Sequence, residues 1–318
     1  MKQKIRNIFI LAGILVLLNP VDPGFGQTVF PTGTTIYKPK KAYSSYILIA
    51  DHSAVSNHQD DKVRAAAANT FPDDIRLIDM NGNVIHTWKV TPSMNKRCRL
   101  LSNGHLVYAG VPKTIIEYDW NGNVVWTHEG IGSINDMRVL PNNNRLLIAH
   151  EPIPEEFQKK VKDAEIAPWW PLRKRGSEEH QLGADLYEVN LKGEVVWEWH
   201  AYNHLDLNLF SPATPEGDWL HVNSAAPLPE NKWYDAGDER FRPGNILLNA
   251  RNINTIYIID KKTKKIVWEG THNYKGGMAH CHEPEMIEKG LPGAGNIILF
   301  DNGLFTRHRT HTGQTFII

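Results

Sequence analysis

The chain has 318 residues, and 35 Lys plus Arg balance 35 Asp plus Glu, so the formal net charge is zero. That balance leaves no electrostatic footprint for nucleic acid or an anionic membrane surface, and both are set aside as partners. The length suits one large domain or two ordinary ones.

Lys2, Lys4 and Arg6 precede an apolar run from Ile8 to Leu18, and the breakers of NPVDPGFGQ follow, with small residues near Gly26 and Gln27. This reads as an export signal over residues 1–27. Eleven apolar residues are too few for a membrane span, which needs about 20. The remainder, 28–318, is expected to be one β-rich domain working in the periplasm or outside the cell. Two cysteines, Cys98 and Cys281, cannot form a disulfide framework. A single bridge between them stays open in an oxidising compartment.

Four segments share one pattern: IRLIDMNGNVIHTW from 75, IIEYDWNGNVVWTH from 115, LYEVNLKGEVVWEW from 186 and IYIIDKKTKKIVWEG from 256. Each joins an alternating apolar strand through a polar turn to a Val/Ile strand ending in Trp or His, which predicts a β-hairpin. Equivalent turn positions are Gly82, Gly122, Gly193 and Lys264, spaced by 40, 71 and 71 residues. Between the hairpins recurs a turn followed by an apolar strand, as in LLSNGHLVYAG, VLPNNNRLLIA, FRPGNILLNAR and LPGAGNIILFDNG. Hairpin plus turn-strand makes four strands in about 40 residues, a propeller blade. The expected fold is therefore all-β, a β-propeller of four-stranded blades. Trp126, Trp197 and Trp268 recur with the repeat and are assigned to blade packing.

The longer steps carry insertions at 154–180 and 200–241, the first with a weak helical pattern over 154–165. Long loops on an all-β frame are where binding residues usually sit. The stretch GGMAHCHEPEM, 276–286, then places His280, Cys281, His282 and Glu283 in a row. In an extended chain His280 and His282 share one face, which suits either a metal ion or an imidazole nucleophile. Cys281 beside His282 as an activated thiol and a solvated histidine pair are the other readings.

In GADLYEVNLKGEVVWEW, DWLHVNSA, GNILLNARNINTIYIIDKKTKKIVWEG and GLPGAGNIILFDNG, in this order within residues 75 to 303, the chain resembles the bacterial arylsulfate sulfotransferases. These are exported propeller enzymes that move a sulfuryl group between phenols without a nucleotide donor. The resemblance implies catalytic roles for His282, ahead of the LPGAGNIILFDNG strand, for His221 of DWLHVN and for Arg251 of LNAR. His280 becomes a neighbour, and Asn135 stands where the family has a further histidine. It also implies a family ring of six blades, incomplete here, because the tail RHRTHTGQTFII carries no alternating strand.

The chemistry implied is a displacement at sulfur. Neutral imidazole is a competent nucleophile near pH 7, and His282 would carry the sulfuryl group as a sulfohistidine. Arg251 offers a planar fork of donors suited to a sulfate, and His221 a donor or general acid. Arg251 paired with a carboxylate such as Asp260 is the structural alternative. No GxxxxGK loop is present for a nucleotide donor. The expected partners are an aryl sulfate donor and a phenolic acceptor, with no cofactor and no metal. A non-catalytic binding propeller and a propeller-type polysaccharide lyase using His221 and Arg251 are the competing readings.

Overall fold

The computed structural model describes residues 37–50, 74–90, 97–109, 114–131, 133–160, 183–209, 219–271, 278–303 and 314–317. The expected export signal lies outside these residues, as does most of the 154–180 insertion. Residues 1–49 with 76–87 form one compact unit, and residues 50–75 with 88–318 a second.

The first unit holds most of a three-stranded sheet ordered β1 (Ile47–Ala50), β2 (Asp74–Ile78) and β3 (Val84–Lys89). In the second unit, β4 (Arg97–Leu100), β5 (Leu106–Ala109), β6 (Thr114–Tyr118) and β7 (Val124–Glu129) form an antiparallel meander. A second meander follows, of β8 (Ser133–Val139), β9 (Arg145–His150), β10 (Asp185–Val189) and β11 (Val195–His200). The third is β12 (Ala225–Pro227), β13 (Ile246–Ala250), β14 (Thr255–Ile259) and β15 (Ile266–Gly270). The last described sheet is β16 (Cys281–Met286), β17 (Ile297–Asp301) and β18 (Gln314–Ile317). Sequential four-stranded antiparallel sheets are propeller blades, so the fold is the all-β propeller that the repeat predicts.

Strand β18 corrects one expectation. The tail does contain a strand: Gln314 to Ile317 pairs antiparallel with Asp301 to Ile298. The run Thr-Phe-Ile has high β-propensity but is too short to show a period of two, so it carries no signal in the sequence. The helical pattern over 154–165 yields one described turn, α1 (Glu155–Gln158).

The core lies between successive sheets. Val107, Ile115, Met137 and Leu147 join the first two meanders. Leu186, Trp199, Ile246 and Leu248 join the second and third. Leu247, Ile258, Cys281 and Leu299 join the third to the last described sheet. The hairpin tryptophans Trp88, Trp126 and Trp197 each reach across to a neighbouring turn. The indole N–H of Trp88 donates to the Asp119 carbonyl at 3.0 Å, Trp126 to Leu191 at 2.9 Å and Trp197 to Lys261 at 2.9 Å. Each acceptor lies in the hairpin turn of the following sheet. Trp268, the fourth copy, packs against the core that contains Cys281 and Met286.

Each of the four turns contains a residue in the left-handed region. Gly82, Gly122 and Gly193 adopt φ of 85°, 83° and 83°, and Lys264 holds the left-handed region at 61°. Asp79 and Asp119 each bind the amides two and four residues on at 2.8 to 2.9 Å. This side-chain bonding closes the turn around the glycine.

Candidate functional site

Two of the sequence-predicted residues sit where the β12–β13 ladder ends. That ladder stops at Ala225 opposite Leu248. Upstream, His221 adopts a left-handed φ of 48°, which turns the chain out of the strand. The segment stays stitched to the end of β13, with the Asn252 amide donating to the Leu220 carbonyl at 3.0 Å. Arg251 opens a short 3-10 turn, Arg251–Ile253, and its Nη1 donates to Asn252 Oδ1 at 3.0 Å. Asp260, its suggested structural partner, instead caps its own turn through the Thr263 amide at 2.6 Å.

His282 enters from β16. Its Nδ1 lies 2.9 Å from the His280 carbonyl oxygen. A carbonyl only accepts, so Nδ1 carries the hydrogen and the lone pair of the neutral ring is on Nε2. Burial pushes the imidazole below its ordinary proton affinity, outweighing the opposite pull of the His280 carbonyl bond, and the Arg251 charge adds to the lowering. His280 is shifted in the same direction, again by burial first and then by Arg251, His282 and His221. The three predicted residues are thus electrostatic neighbours, and both histidines of the pair are neutral near pH 7.

The continuously extended backbone expected around His280 and His282 is interrupted on both sides. His280 has a φ of 53° and Glu283 a φ of 47°, so the segment is not continuously extended. The β16–β17 register also slips between His282 and Glu285. His280 is buried, with its amide on Asn254 Oδ1 at 2.8 Å. Among the described residues no group of three or more His, Cys, Asp or Glu side chains could hold a metal ion. Cys281 is a buried free thiol pushed up to about 12 by desolvation, which removes the activated-thiol reading. Cys98 is likewise a free thiol, pushed up to about 11 by burial.

Beside the site, the first strands of three sheets bring together a charged cluster. Arg99 of β4 pairs with Asp136 of β8 at 3.1 Å, and Asp136 is 1% exposed. Glu283 of β16 receives Arg97 at 3.5 Å, Arg99 at 3.6 Å and Arg138 at 3.0 Å. Arg138 also reaches Glu285 at 2.6 Å. The positive charge of Arg97 adds to the forces keeping His282 unprotonated.

Sequence reasoning missed His150 and Asn249. His150 ends β9 and its Nε2 donates to the Val222 carbonyl at 2.9 Å, with its ring 6.1 Å from that of His221. Asn249 is fully buried and bonded to the Asn223 and Ser224 amides. His150 belongs to no recognisable motif, and Asn249 lies inside LNAR, where only Arg251 drew notice; strand pairing is what brings both to the site. Asn135 lies in β8, and its side chain is outside the described residues.

The family model described as "Arylsulfotransferase (ASST)" matches residues 171–276, a third of the chain. The matched segment is arylsulfotransferase-like. It includes His221 and Arg251, whereas His282 follows six residues after its end. No curated protein matches the chain significantly. Among solved structures, a protein of unknown function from Bacteroides caccae is 13% identical, with 73% of this chain and 62% of that chain covered and a TM-score of 0.38. The WD40 β-propeller domain of Doa1 is 11% identical, covering 71% and 54%, with a TM-score of 0.37. BamB from Moraxella catarrhalis is 12% identical, covering 72% and 53%, with a TM-score of 0.31. This chain therefore spans less than two thirds of each of those proteins.

Proposed function

We propose that the protein is an arylsulfotransferase that moves a sulfuryl group from an aryl sulfate to a phenolic acceptor through His282. The observation that carries this reading is the tautomer of His282. Its Nδ1–H is held by the His280 carbonyl, and burial keeps the ring neutral, so Nε2 offers a lone pair at pH 7. The arylsulfotransferase match over residues 171–276 supports the reaction class.

In the first step Nε2 attacks sulfur, an N–S bond forms and the S–O bond to the aryl group breaks. The electron pair leaves with the phenolate, which takes its proton from His221 or from water. In the second step the acceptor hydroxyl gives up its proton to that same base. Its oxygen attacks sulfur, and the N–S bond breaks to return neutral His282. Arg251 is the group suited to the equatorial sulfuryl oxygens, by its planar donor fork. Splitting one displacement into two is the benefit of the covalent route.

The test is turnover of p-nitrophenyl sulfate with phenol as acceptor. Mass spectrometry of the enzyme, quenched after donor alone, should find one added sulfuryl group on the peptide containing His282. Loading on a different residue, or none during full turnover, would sink this mechanism. Phenol-independent binding without turnover would point to a ligand-binding propeller. Export is part of the same proposal, and N-terminal sequencing of the protein from its native host would test cleavage near Gly26 and Gln27.

A further inference from the structure

Given sulfuryl transfer through His282 as proposed above, we infer that Asn249 is a positioning residue that fixes the His221 segment and the His282 strand to each other. The need for such a group follows from where the ladder ends. Beyond Ala225 the left-handed turn at His221 carries the chain away from regular pairing with β13. Between that last pair and the Asn252–Leu220 bond, the backbone contributes a long bond from the Asn249 amide to the Ser224 carbonyl at 3.3 Å. Asn223 and Ser224 are buried, and a buried amide left without an acceptor costs its full desolvation, so both must find partners.

The Asn249 carboxamide supplies them. Its Oδ1 accepts from the Asn223 amide at 3.2 Å and from the Ser224 amide at 2.9 Å. Its Nδ2 donates to Asn223 Oδ1 at 2.7 Å and to the Cys281 carbonyl at 2.8 Å. An asparagine side chain has two donors and room for two acceptor bonds, so every capacity is used. The Cys281 carbonyl belongs to the peptide unit that joins Cys281 to His282. One rigid amide at 0% exposure therefore holds both the backbone just after His221 and the peptide plane from which His282 extends. The residues nearest to it in shape or chemistry do not fit. Aspartate lacks the donors, leucine lacks both functions, and glutamine is one methylene too long for a close-packed position.

Asn249→Asp is the informative variant because it keeps the shape. Its carboxylate can still accept from both amides, but it faces the Cys281 carbonyl and Asn223 Oδ1 with no hydrogen to donate. With p-nitrophenyl sulfate and phenol, the expected result is a kcat about 100-fold lower, as for a catalytic group misplaced by about 1 Å. KM should stay within about threefold, since the substrate-facing groups remain. The deficit should shrink as the pH falls and the carboxyl gains a proton it can donate. A folded variant with kcat within about threefold of the parent at every pH would overturn the inference.

Two further measurements do not depend on turnover. In the unaltered protein the Asn223 and Ser224 amides should be strongly protected from hydrogen exchange, and rapid exchange would overturn the clamp. In Asn249→Asp, or in Asn249→Ser where the first variant fails to fold, the imidazole NMR signals of His221 and His282 should both move. Unmoved signals would overturn the inference even in an active enzyme. An unaltered protein without aryl sulfate turnover would instead sink the proposed reaction, leaving the clamp to be judged by exchange and NMR.

Discussion

His282 Nδ1 and the carbonyl oxygen of His280 are 2.9 Å apart, a contact that only a protonated Nδ1 can make. It leaves Nε2 with the lone pair that the proposed reaction needs and gives the backbone of one histidine a part in orienting the other. Replacing His282 with Asn should keep the fold and lower transfer by at least about 10³-fold, as expected for loss of a covalent carrier. Steady-state turnover of p-nitrophenyl sulfate alongside a circular dichroism melt checks both halves.

The pH dependence follows from the same residue. Burial first, then Arg251 and His221, lower the His282 proton affinity from the ordinary imidazole value of 6.5. The proposed nucleophile is the neutral form, so kcat/KM should rise with pH along an acid limb centred below 6.5. For stability, the unfolded chain binds protons on His280 and His282 more readily than the folded one. Stability from these groups is therefore complete above the ordinary imidazole range and declines as pH falls towards their folded values. An acid limb centred above the ordinary value would contradict the assignment.

Asp136 depends on Arg99 for its charge compensation, at 3.1 Å and 1% exposure. Arg99→Met keeps much of the volume and leaves the carboxylate with Arg138, whose Nε is 3.7 Å away. The expected cost at pH 7 is about 3 kcal/mol, the scale for a buried pair that loses one member. Burial already holds the Asp136 carboxyl above its usual range, so the variant should recover stability as pH falls and the group is neutralised. Urea melts at several pH values would read this, and a deficit independent of pH would refute it.

Lys264 stands where the other hairpins have glycine and keeps the left-handed φ of 61°. Lys264→Gly removes that strain, about 1–2 kcal/mol, against a glycine entropy cost of about 0.5–1 kcal/mol. The variant should gain about 0.5–1 kcal/mol in a thermal or urea melt. A loss would mean that the lysine side chain, which lies 6.0 Å over the Trp197 ring, matters more than its backbone.

Trp199 is buried, and its indole N–H donates to the Lys264 carbonyl at 3.0 Å. Trp199→Phe should cost about 2 kcal/mol, combining an unmet carbonyl with a small cavity. The loss should appear as a lower melting temperature without a change in KM.

By itself the sequence determined the blade. Alternating apolar strands and the turns at Gly82, Gly122, Gly193 and Lys264 are local patterns, and each of those positions adopts the left-handed turn conformation. The hairpin tryptophans were equally legible as packing residues because they recur with the repeat. What only the tertiary structure decided is how distant segments meet. The extended run expected through His280 and Glu283 is broken because both take left-handed conformations, and neither residue type announces that. The tail strand at Gln314–Ile317 exists through pairing with β17 rather than through its own pattern. Asn249, 26 residues from Asn223 and 32 from Cys281, became visible only when the fold aligned all three. Local chemistry sets turns and strands, whereas a buried hydrogen-bond network is a property of chains brought together.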